Sequence, residues 1–268
     1  MEHNQVDFLS SPALFQEKEG RYLEVRRREG RVLSDEVVKK LPGMLPSNPY
    51  TREWKFRARS LNRLKKHLLK DTQLQILDLG CGNGWMANRL AENPHWKIWA
   101  VDLNQEELEQ GARLFGRQNL KFVYADVLQG VLPENQFDVI VLAAAIQYFP
   151  DLEALLVVLR KLLTTKGEIH IIDAPFYKKK AEKAAAGQRS LAYYSKVGVP
   201  EMAQFYHHHL LAEAENLGAE NLNGALKIKI LQKLQWLAPF PWLCFNGSMA
   251  FRPSGKGAFT PLKPSSAP

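Results

Sequence analysis

The sequence predicts an α/β protein built on a doubly wound, mostly parallel sheet with helices on both faces. From Leu74 onwards, short apolar runs alternate with segments of helical period, which is typical of parallel strands joined by right-handed crossovers. The run "FDVIVLAAA" has the continuous apolar character of a strand buried on both faces. Of the 268 residues, 46% are hydrophobic and 24% charged, so one domain with a sizeable core is expected.

The elements of this block can be assigned in chain order. A helix is predicted over 50–69, because Trp54, Leu61 and Leu64 fall on one helical stripe. Three further helices are predicted in "NGWMANRLAEN", "NQEELEQGARLFGR" and "DLEALLVVLRKLL". The predicted strands, in order, are "LQILDL", "KIWAVDL", "LKFVYADV", "FDVIVLAAA" and "GEIHIIDAPF".

The pattern is weaker outside this block. The basic segment 19–49 ends in three prolines, which favours a short irregular cap. Residues 178–196 and 199–218 are expected to be helical, whereas "ALKIKILQKLQWL" fits a strand or a helix equally well. The division predicted is a basic N-terminal cap (1–49), a main domain (50–250, with its core at 72–175 and an elaboration at 176–250) and a flexible tail rich in Pro, Ser and Gly (251–268).

Charge is unevenly distributed along the chain, whose net charge is +8. Residues 1–70 carry 16 Lys and Arg against 9 Asp and Glu, residues 71–175 carry 8 against 14, and residues 176–268 carry 12 against 5. The two basic arms are either solvated helical faces or a rim that attracts an anionic acceptor, a membrane surface or nucleic acid. No RNA-binding strand or zinc knuckle accompanies the charge.

Targeting and cysteine patterns favour a cytoplasmic protein. The start "MEHNQVDFLS" lacks the basic and apolar regions of a secretory signal, and no apolar run is long enough to predict a transmembrane segment. Cys81 and Cys244 are far apart and form no CxxC pattern, which fits a reducing compartment.

Three glycines at alternate positions, Gly80, Gly82 and Gly84, follow the first predicted strand and open a helix. Glycine permits positive φ and close approach of a ligand, and a helix N-terminus favours an anionic group. The dinucleotide fingerprint G-x-G-x-x-G would need its third glycine at the position of Trp85. The turn therefore disfavours a dinucleotide, and by itself it could hold another ligand or none.

The stretch from Asp78 to Gly84 reads D-x-G-x-G-x-G, and here the chain resembles class I S-adenosylmethionine (SAM)-dependent methyltransferases of the small-molecule, type-11-like kind. The resemblance runs from about residue 50 to about residue 174. Four motifs agree in order, namely "LDLGCGNG", "AVDLN", "YADV" and "FDVIVLAAAIQYF". The resemblance implies a Rossmann-like fold with a seven-stranded sheet and an N-terminal helical cap. It also implies SAM as cofactor and S-adenosylhomocysteine as product.

The resemblance further implies a set of cofactor-binding residues. Asp102 stands where the family binds both ribose hydroxyls, Asp126 near the adenine amino group, and Ala143 beside the methionine end. The full set is Asp78, Gly80, Gly82, Gly84, Asp102, Leu103, Asp126, Val127 and Ala143. Taken singly, Asp102 could cap the helix that starts at Asn104, and Asp126 could cap a turn. Their position at successive strand ends favours cofactor binding.

The catalytic residues cannot be identified from motifs. Candidates are Tyr148, after the fourth strand, and His207, His208 and His209 in "FYHHHLL". On a helix these histidines would point about 100° apart, so at most one would act as general base while at least two face solvent. No metal site is expected, because no matching pair of histidines or carboxylates recurs elsewhere.

The expected function is transfer of a methyl group from SAM to a small-molecule acceptor, at O or N, by in-line displacement. An RNA or protein methyltransferase is the alternative that the basic arms favour and the missing recognition module disfavours. A nonenzymatic SAM-binding protein on the same fold stays open, and an NAD-dependent dehydrogenase comes last because of Trp85. The basic arms favour an anionic acceptor. The chain is expected to be a monomer or a homodimer.

Overall fold

An eight-stranded sheet organises the computed structural model, which describes residues 5–44 and 46–247. The strands are β1 (Val6–Phe8), β2 (Leu74–Leu79), β3 (Trp96–Asp102), β4 (Leu120–Tyr124), β5 (Phe137–Ala143), β6 (Leu163–Ile172), β7 (Phe176–Tyr177), β8 (His209–Leu210), β9 (Glu220–Asn221) and β10 (Leu243–Asn246). Their order in the sheet is β1-β4-β3-β2-β5-β6-β10-β9, while β7 and β8 form a separate parallel pair.

The predicted fold class is confirmed, with one difference in strand number. Strands β1 to β6 run parallel, and β10 pairs antiparallel with β6 and with β9. The sheet has eight strands instead of the expected seven, because β1 adds to the edge at β4, in register Val6 with Phe122. The cap expected over residues 1–49 therefore contributes a strand to the sheet.

Nine helices are assigned within the described ranges 5–44 and 46–247. They are α1 (Gln16–Arg28), α2 (Asp35–Lys40), α3 (Thr51–Leu68), α4 (Trp85–Leu90), α5 (Gln105–Leu114), α6 (Leu152–Leu162), α7 (Lys180–Val197), α8 (Leu211–Asn216) and α9 (Leu226–Lys233). None of these helices, among the residues described, has the combination of length and apolar character that crossing a bilayer requires.

Two apolar cores cover the two faces of the sheet, as the alternation of strand side chains requires. In β5, Val139 and Val141 enter the core that includes α3, α4 and α5, whereas Ile140 and Leu142 enter the core that includes α6. The apolar run of β5 is thus buried on both faces, as its composition predicts.

The segment after α7 differs from its predicted helix. Residues 199–218 form a short 3-10 segment (Pro200–Phe205), an extended stretch with β8, and the helix α8. The pairing of His209 with Phe176 stops a continuous helix here. The ambiguous segment that follows is helical in α9. The tail predicted to be flexible, residues 251–268, lies outside the described residues, and the division into domains stays a prediction.

Candidate active site

The site lies where the sheet order reverses, at the carboxyl ends of β2 and β5. Neighbouring strands there send their connections to opposite sides, which leaves a crevice. A cavity of about 1080 Å³ occupies it and extends under α1, α3 and α7. Ligand sites commonly measure roughly 300–1,000 Å³, so this cavity has room for two small molecules.

The glycine turn between β2 and α4 forms the floor of the cavity. Gly80, Gly82 and Gly84 all have positive φ, at 75°, 55° and 69°. A Cβ on Gly80 would lie 2.5 Å from the Cβ of Ala145, so the turn needs glycine there for packing as well as for conformation.

Eight of the nine sequence-predicted cofactor residues line the cavity. They are Asp78, Gly80, Gly82, Asp102, Leu103, Asp126, Val127 and Ala143. Gly84 differs: it is not among the lining residues, and a Cβ on it would lie 2.4 Å from the Phe122 ring. Gly84 is therefore needed for the conformation of the turn and for close packing at the start of the helix, and not for lining the cavity.

Asp102 connects the end of β3 to the glycine turn. One carboxylate oxygen, Oδ2, accepts the Gly82 N–H at 2.7 Å, and the other, Oδ1, accepts the N–H groups of Leu103 and Asn104. Burial raises the pKa of Asp102, and these backbone donors oppose that rise. Asn104 itself caps α5, accepting the Glu107 N–H. These three bonds leave one lone-pair site, on Oδ2, to accept a hydrogen bond from a ligand.

Asp126 caps the short 3-10 turn Val127–Gln129, because its Oδ1 accepts the Leu128 N–H at 3.0 Å. This is the capping role that the sequence left open. It involves one oxygen, so the capping role and a ligand contact by the other oxygen are compatible. Burial raises the pKa of Asp126, while Leu128 and Lys18 oppose the rise.

Asp78 lies beneath the turn and is 1% exposed. Burial and the neighbouring Asp102 raise its pKa to about 7. Its Oδ2 is buried without a hydrogen-bond partner among the described residues. A buried carboxylate of this kind is stabilised by a cation placed beside it.

Two groups on helices complete this end of the cavity and were not found from the sequence. Glu107 of α5 is buried, and burial raises its pKa to about 7, while Arg26 opposes the rise. The Tyr22 hydroxyl donates to Glu107 Oε2 at 3.4 Å. Lys18 of α1 donates to the Tyr148 carbonyl at 3.4 Å and lies near Asp102 and Asp126. The strand-end region, called here the acidic cradle, consists of Asp78, Asp102, Glu107 and Asp126.

The part of the cavity beyond the acidic cradle is basic and aromatic, and it meets the cradle where Arg26 lies near Glu107. Its arginines are Arg26, Arg31, Arg52, Arg57 and Arg189, against the carboxylates Glu29, Glu53 and Asp173. Tyr148, a candidate from the sequence, forms edge-to-face contacts with Tyr22 and Tyr206 at centroid distances of 5.7 and 6.1 Å. Arg26 Nε is buried and has no hydrogen-bond partner within the described part of the chain. This region, called here the basic end, suits an anionic ligand.

The three histidines lie on extended chain and not on a helix, and none is fully exposed. His209 is buried, with Nε2 3.3 Å from the Ile146 carbonyl oxygen. The His207 side chain is half-buried and does not line the cavity. The expectation that at least two face solvent is therefore wrong.

Only His208 of the three histidines lines the cavity. Its Nε2 lies 3.1 Å from Ser190 Oγ, and its Nδ1 is buried without a partner among residues 5–44 and 46–247. Burial, with help from His209 and Arg189, lowers the pKa of His208, so its neutral form persists below the usual range.

A separate group, His67, Glu168 and His170, has the spacing of metal ligands. The Trp242 indole N–H donates to His170 Nδ1 at 3.1 Å, so neutral His170 carries its proton on Nε2, the atom facing Glu168. That nitrogen would have to lose this proton to bind a metal. The hydrogen bonds from His170 and His67 lower the pKa of Glu168 to about 2. The cluster joins His67 of α3 to Glu168 and His170 of β6 as a partly buried polar contact.

The raised pKa of Asp78 makes stability depend on pH. The pKa of Asp78 is about 7 in the folded chain against an ordinary 3.8, so the folded state favours the protonated carboxyl. Its contribution to the free energy of unfolding is fully present below pH 3.8 and is lost as the pH rises through about 7. At about pH 8 the free energy of unfolding of Asp78→Asn is expected to exceed that of the wild type by at least about 1 kcal/mol, and at about pH 3 the two are expected to be equal. Urea unfolding at both pH values measures this. Asp71→Asn, at an exposed site, is the control, and an equal response of both variants would contradict the assignment.

Comparisons with known proteins agree with this geometry. The family described as "Methyltransferase domain" matches residues 76–167. An uncharacterized methyltransferase of Mycobacterium tuberculosis is 31% identical over 97 residues, covering 36% of this chain and 49% of the relative. A malonyl-[acyl-carrier protein] O-methyltransferase of Acetivibrio thermocellus is 30% identical over 30% of this chain and 29% of its own. The chain therefore spans about half the length of the mycobacterial relative and less than a third of the length of the Acetivibrio relative.

Solved structures show the same fold. A proposed sarcosine dimethylglycine methyltransferase from Galdieria sulphuraria superposes with a TM-score of 0.54 at 16% identity, covering 87% of this chain and 98% of that one. The YcgJ protein of Bacillus subtilis gives a TM-score of 0.50 at 20% identity, over 62% and 70% of the two chains.

Proposed function

Because residues 76–167 are a class I SAM-dependent methyltransferase domain, we propose that this chain transfers a methyl group from SAM to a small anionic acceptor at O or N. The observation that carries the proposal is one continuous cavity with an acidic cradle at the strand ends and a basic, tyrosine-lined far end. The two ends suit ligands of opposite charge.

The acidic cradle fits the cofactor. When bound, SAM supplies an electrophilic methyl group on a sulfonium, and it also carries an α-ammonium group. The unpartnered Asp78 Oδ2 and the buried Glu107 suit these positive charges. Asp102 has one acceptor site left, on Oδ2, for a ribose hydroxyl, and Asp126 keeps one oxygen for the adenine amino group.

The basic end supports an anionic acceptor. The five arginines outnumber the three carboxylates there, and a guanidinium binds carboxylate or phosphate through paired hydrogen bonds. The tyrosine rings around Tyr148 offer flat apolar surface, so an acceptor with a planar or apolar body and an anionic group fits best. Holding this acceptor in line with the methyl carbon is the main task of the residues here.

His208 is the proposed general base. If its Nε2–H donates to Ser190 Oγ, the Nδ1 lone pair is left to take a proton from a hydroxyl or ammonium acceptor. Tyr148 and the α1 residues above it exclude water from the same space. His207 and His209 have no such position, so the catalytic candidates reduce to His208 with Tyr148 as a wall of the acceptor pocket.

A screen with radiolabelled SAM tests the function. Small acceptors with a carboxylate or phosphate group are expected to gain label, whereas RNA and protein substrates gain none. Labelling of RNA or protein alone would support the alternative acceptors and overturn this proposal. Binding of SAM without transfer to any acceptor in the screen would support the nonenzymatic reading.

Asp102→Ala is expected to weaken SAM binding by about 1–3 kcal/mol, because a charged hydrogen-bond acceptor is lost. Calorimetric titration measures this, with Asp71→Ala as an exposed-site control. Since Asp102 also binds the Gly82 N–H, the melting temperature of the ligand-free variant must be measured alongside. Unchanged SAM affinity would remove the ribose assignment.

A further inference from the structure

Helix α9 presents an apolar stripe that faces away from the protein. Leu226, Ile230 and Leu234 are 75%, 49% and 71% exposed, and Trp236 just beyond the helix is 51% exposed. Residues four apart lie on one face of a helix, so the three aliphatic side chains form one continuous row. Every residue of α9 keeps part of its surface exposed against the rest of the described chain.

Lysines border this stripe on both sides. At 100° per residue, Lys227 falls on one side of the row, and Lys229 and Lys233 fall on the other; all three are exposed. Ile228 and Leu231, which are partly buried, occupy the opposite face towards the protein. An apolar outward face flanked by lysines is the pattern of a helix that lies in a lipid interface.

The helix is fixed beside the cavity. The Arg59 guanidinium stacks 4.2 Å from the Trp236 ring centroid, and Arg52 donates to Gln235. Gln232 donates to the carbonyl oxygens of Ala238 and Phe240 at 2.8 and 3.0 Å. Ala238 and Phe240 also line the cavity, so the inward side of α9, which carries Gln232, adjoins the cavity wall.

The charge of this part of the chain indicates which partner fits. Residues 221–268 contain six Lys and Arg and no Asp or Glu. Two copies of the face would bring lysines together without carboxylates to pair with them. An anionic lipid surface instead attracts the lysines and takes up the leucines and Trp236, which suits an interfacial indole.

We propose that α9 and Trp236 dock this chain on an anionic lipid surface, lying in the interface without crossing it. Docking would bring the cavity wall at Ala238 and Phe240 to the bilayer. If the proposed function holds, the acceptor would be an amphiphile that enters from the lipid side; the docking itself does not depend on methyl transfer.

Vesicle co-sedimentation of the full chain tests the docking. The probes are vesicles of equal parts phosphatidylglycerol and phosphatidylcholine, and vesicles of phosphatidylcholine alone. The wild type is expected to bind the anionic vesicles, less tightly at high salt, and the neutral ones weakly. Replacing Lys227, Lys229 and Lys233 by glutamine is expected to weaken binding on the order of a hundredfold. Replacing Leu226, Ile230 and Leu234 by glutamine is expected to abolish it.

Matched controls use equal numbers of exposed residues elsewhere. Lys178, Lys179 and Lys180 control for charge, and Leu14, Leu69 and Leu191 control for apolar exposure; their glutamine variants should bind as the wild type does. Trp236 emission should shift to the blue on binding, and this shift should be lost in Trp236→Phe. Unimpaired SAM binding shows that each variant is folded.

Three results would overturn the proposal. The first is that the wild type fails to sediment with anionic vesicles at low salt. The second is that the variant with glutamine at Leu226, Ile230 and Leu234 binds as well as its control. The third is that the wild type dimerises through this face, with that variant monomeric and vesicle binding absent. Since none of these readouts uses methyl transfer, they are distinct from failure of the proposed function.

Discussion

Replacing His208 with glutamine is expected to lower kcat by about 10²–10⁴-fold for a hydroxyl or ammonium acceptor while leaving SAM affinity unchanged. His208 lines the cavity, and its Nδ1 has no partner in the described part of the chain, so it can accept a proton. Burial lowers its pKa, and the base must be neutral to act. Activity should therefore fall only as pH drops below the usual histidine range, and this acid limb should vanish in the variant.

The matched control is His207→Gln, because His207 is adjacent in sequence but does not line the cavity. It should keep the wild-type kcat and pH profile. Ser190→Ala should have a smaller effect than His208→Gln, since Ser190 only orients the ring through Nε2. If His208→Gln turns over at the wild-type rate with an acceptor that must lose a proton, His208 is not the base.

Gly84→Ala is expected to lower the free energy of unfolding by about 2–5 kcal/mol, combining the cost of positive φ with overpacking. The φ of Gly84 is 69°, and an added Cβ would lie 2.4 Å from Cε1 of the Phe122 ring. Phe122 lies in β4 within a core and has no space to retreat. Urea unfolding measures the effect.

Gly30→Ala separates the two causes. Gly30 has a similar φ of 65°, but nothing lies within 4 Å of an added Cβ. Gly30→Ala should lower the free energy of unfolding by about 1–2 kcal/mol, which is the cost of positive φ alone. Equal losses in both variants would show that the contact with Phe122 contributes nothing, and a stable Gly84→Ala would contradict the geometry of the turn.

The central strands and their ligand edge could be predicted from local sequence. The run "LQILDL" coincides with β2, and the apolar run of β5 is long enough to indicate burial on both faces. Asp102 and Asp126 were assigned from the family resemblance, and their places at the ends of β3 and β4 support it because parallel strands end at one edge. Most of the predicted cofactor set consequently lines one cavity.

The covering elements could not be predicted in the same way. Strand β1 has only three residues, two of them exposed, so it has no clear apolar pattern, and its partner β4 is more than a hundred residues away in sequence. The role of α1 depends on that pairing, since the strand leads the chain back over the cradle. Lys18 and Tyr22 therefore had no signal as site residues.

Glu107 had a local signal that was not used. It follows Asp102 by five residues on the helix that Asn104 caps, so its side chain starts close to the turn. The histidine prediction failed for a different reason. A helical period was assumed where the non-local pairing of β8 with β7 holds the chain extended. That change of conformation is why His208 alone of the three lines the cavity.

Calorimetric titration of the full chain with SAM tests the central claim most directly. The acidic cradle predicts binding of one equivalent of SAM and weaker binding in Asp102→Ala, and Trp85, at the place of the third fingerprint glycine, predicts no binding of NAD. Binding of NAD without binding of SAM would contradict the assignment of the cavity.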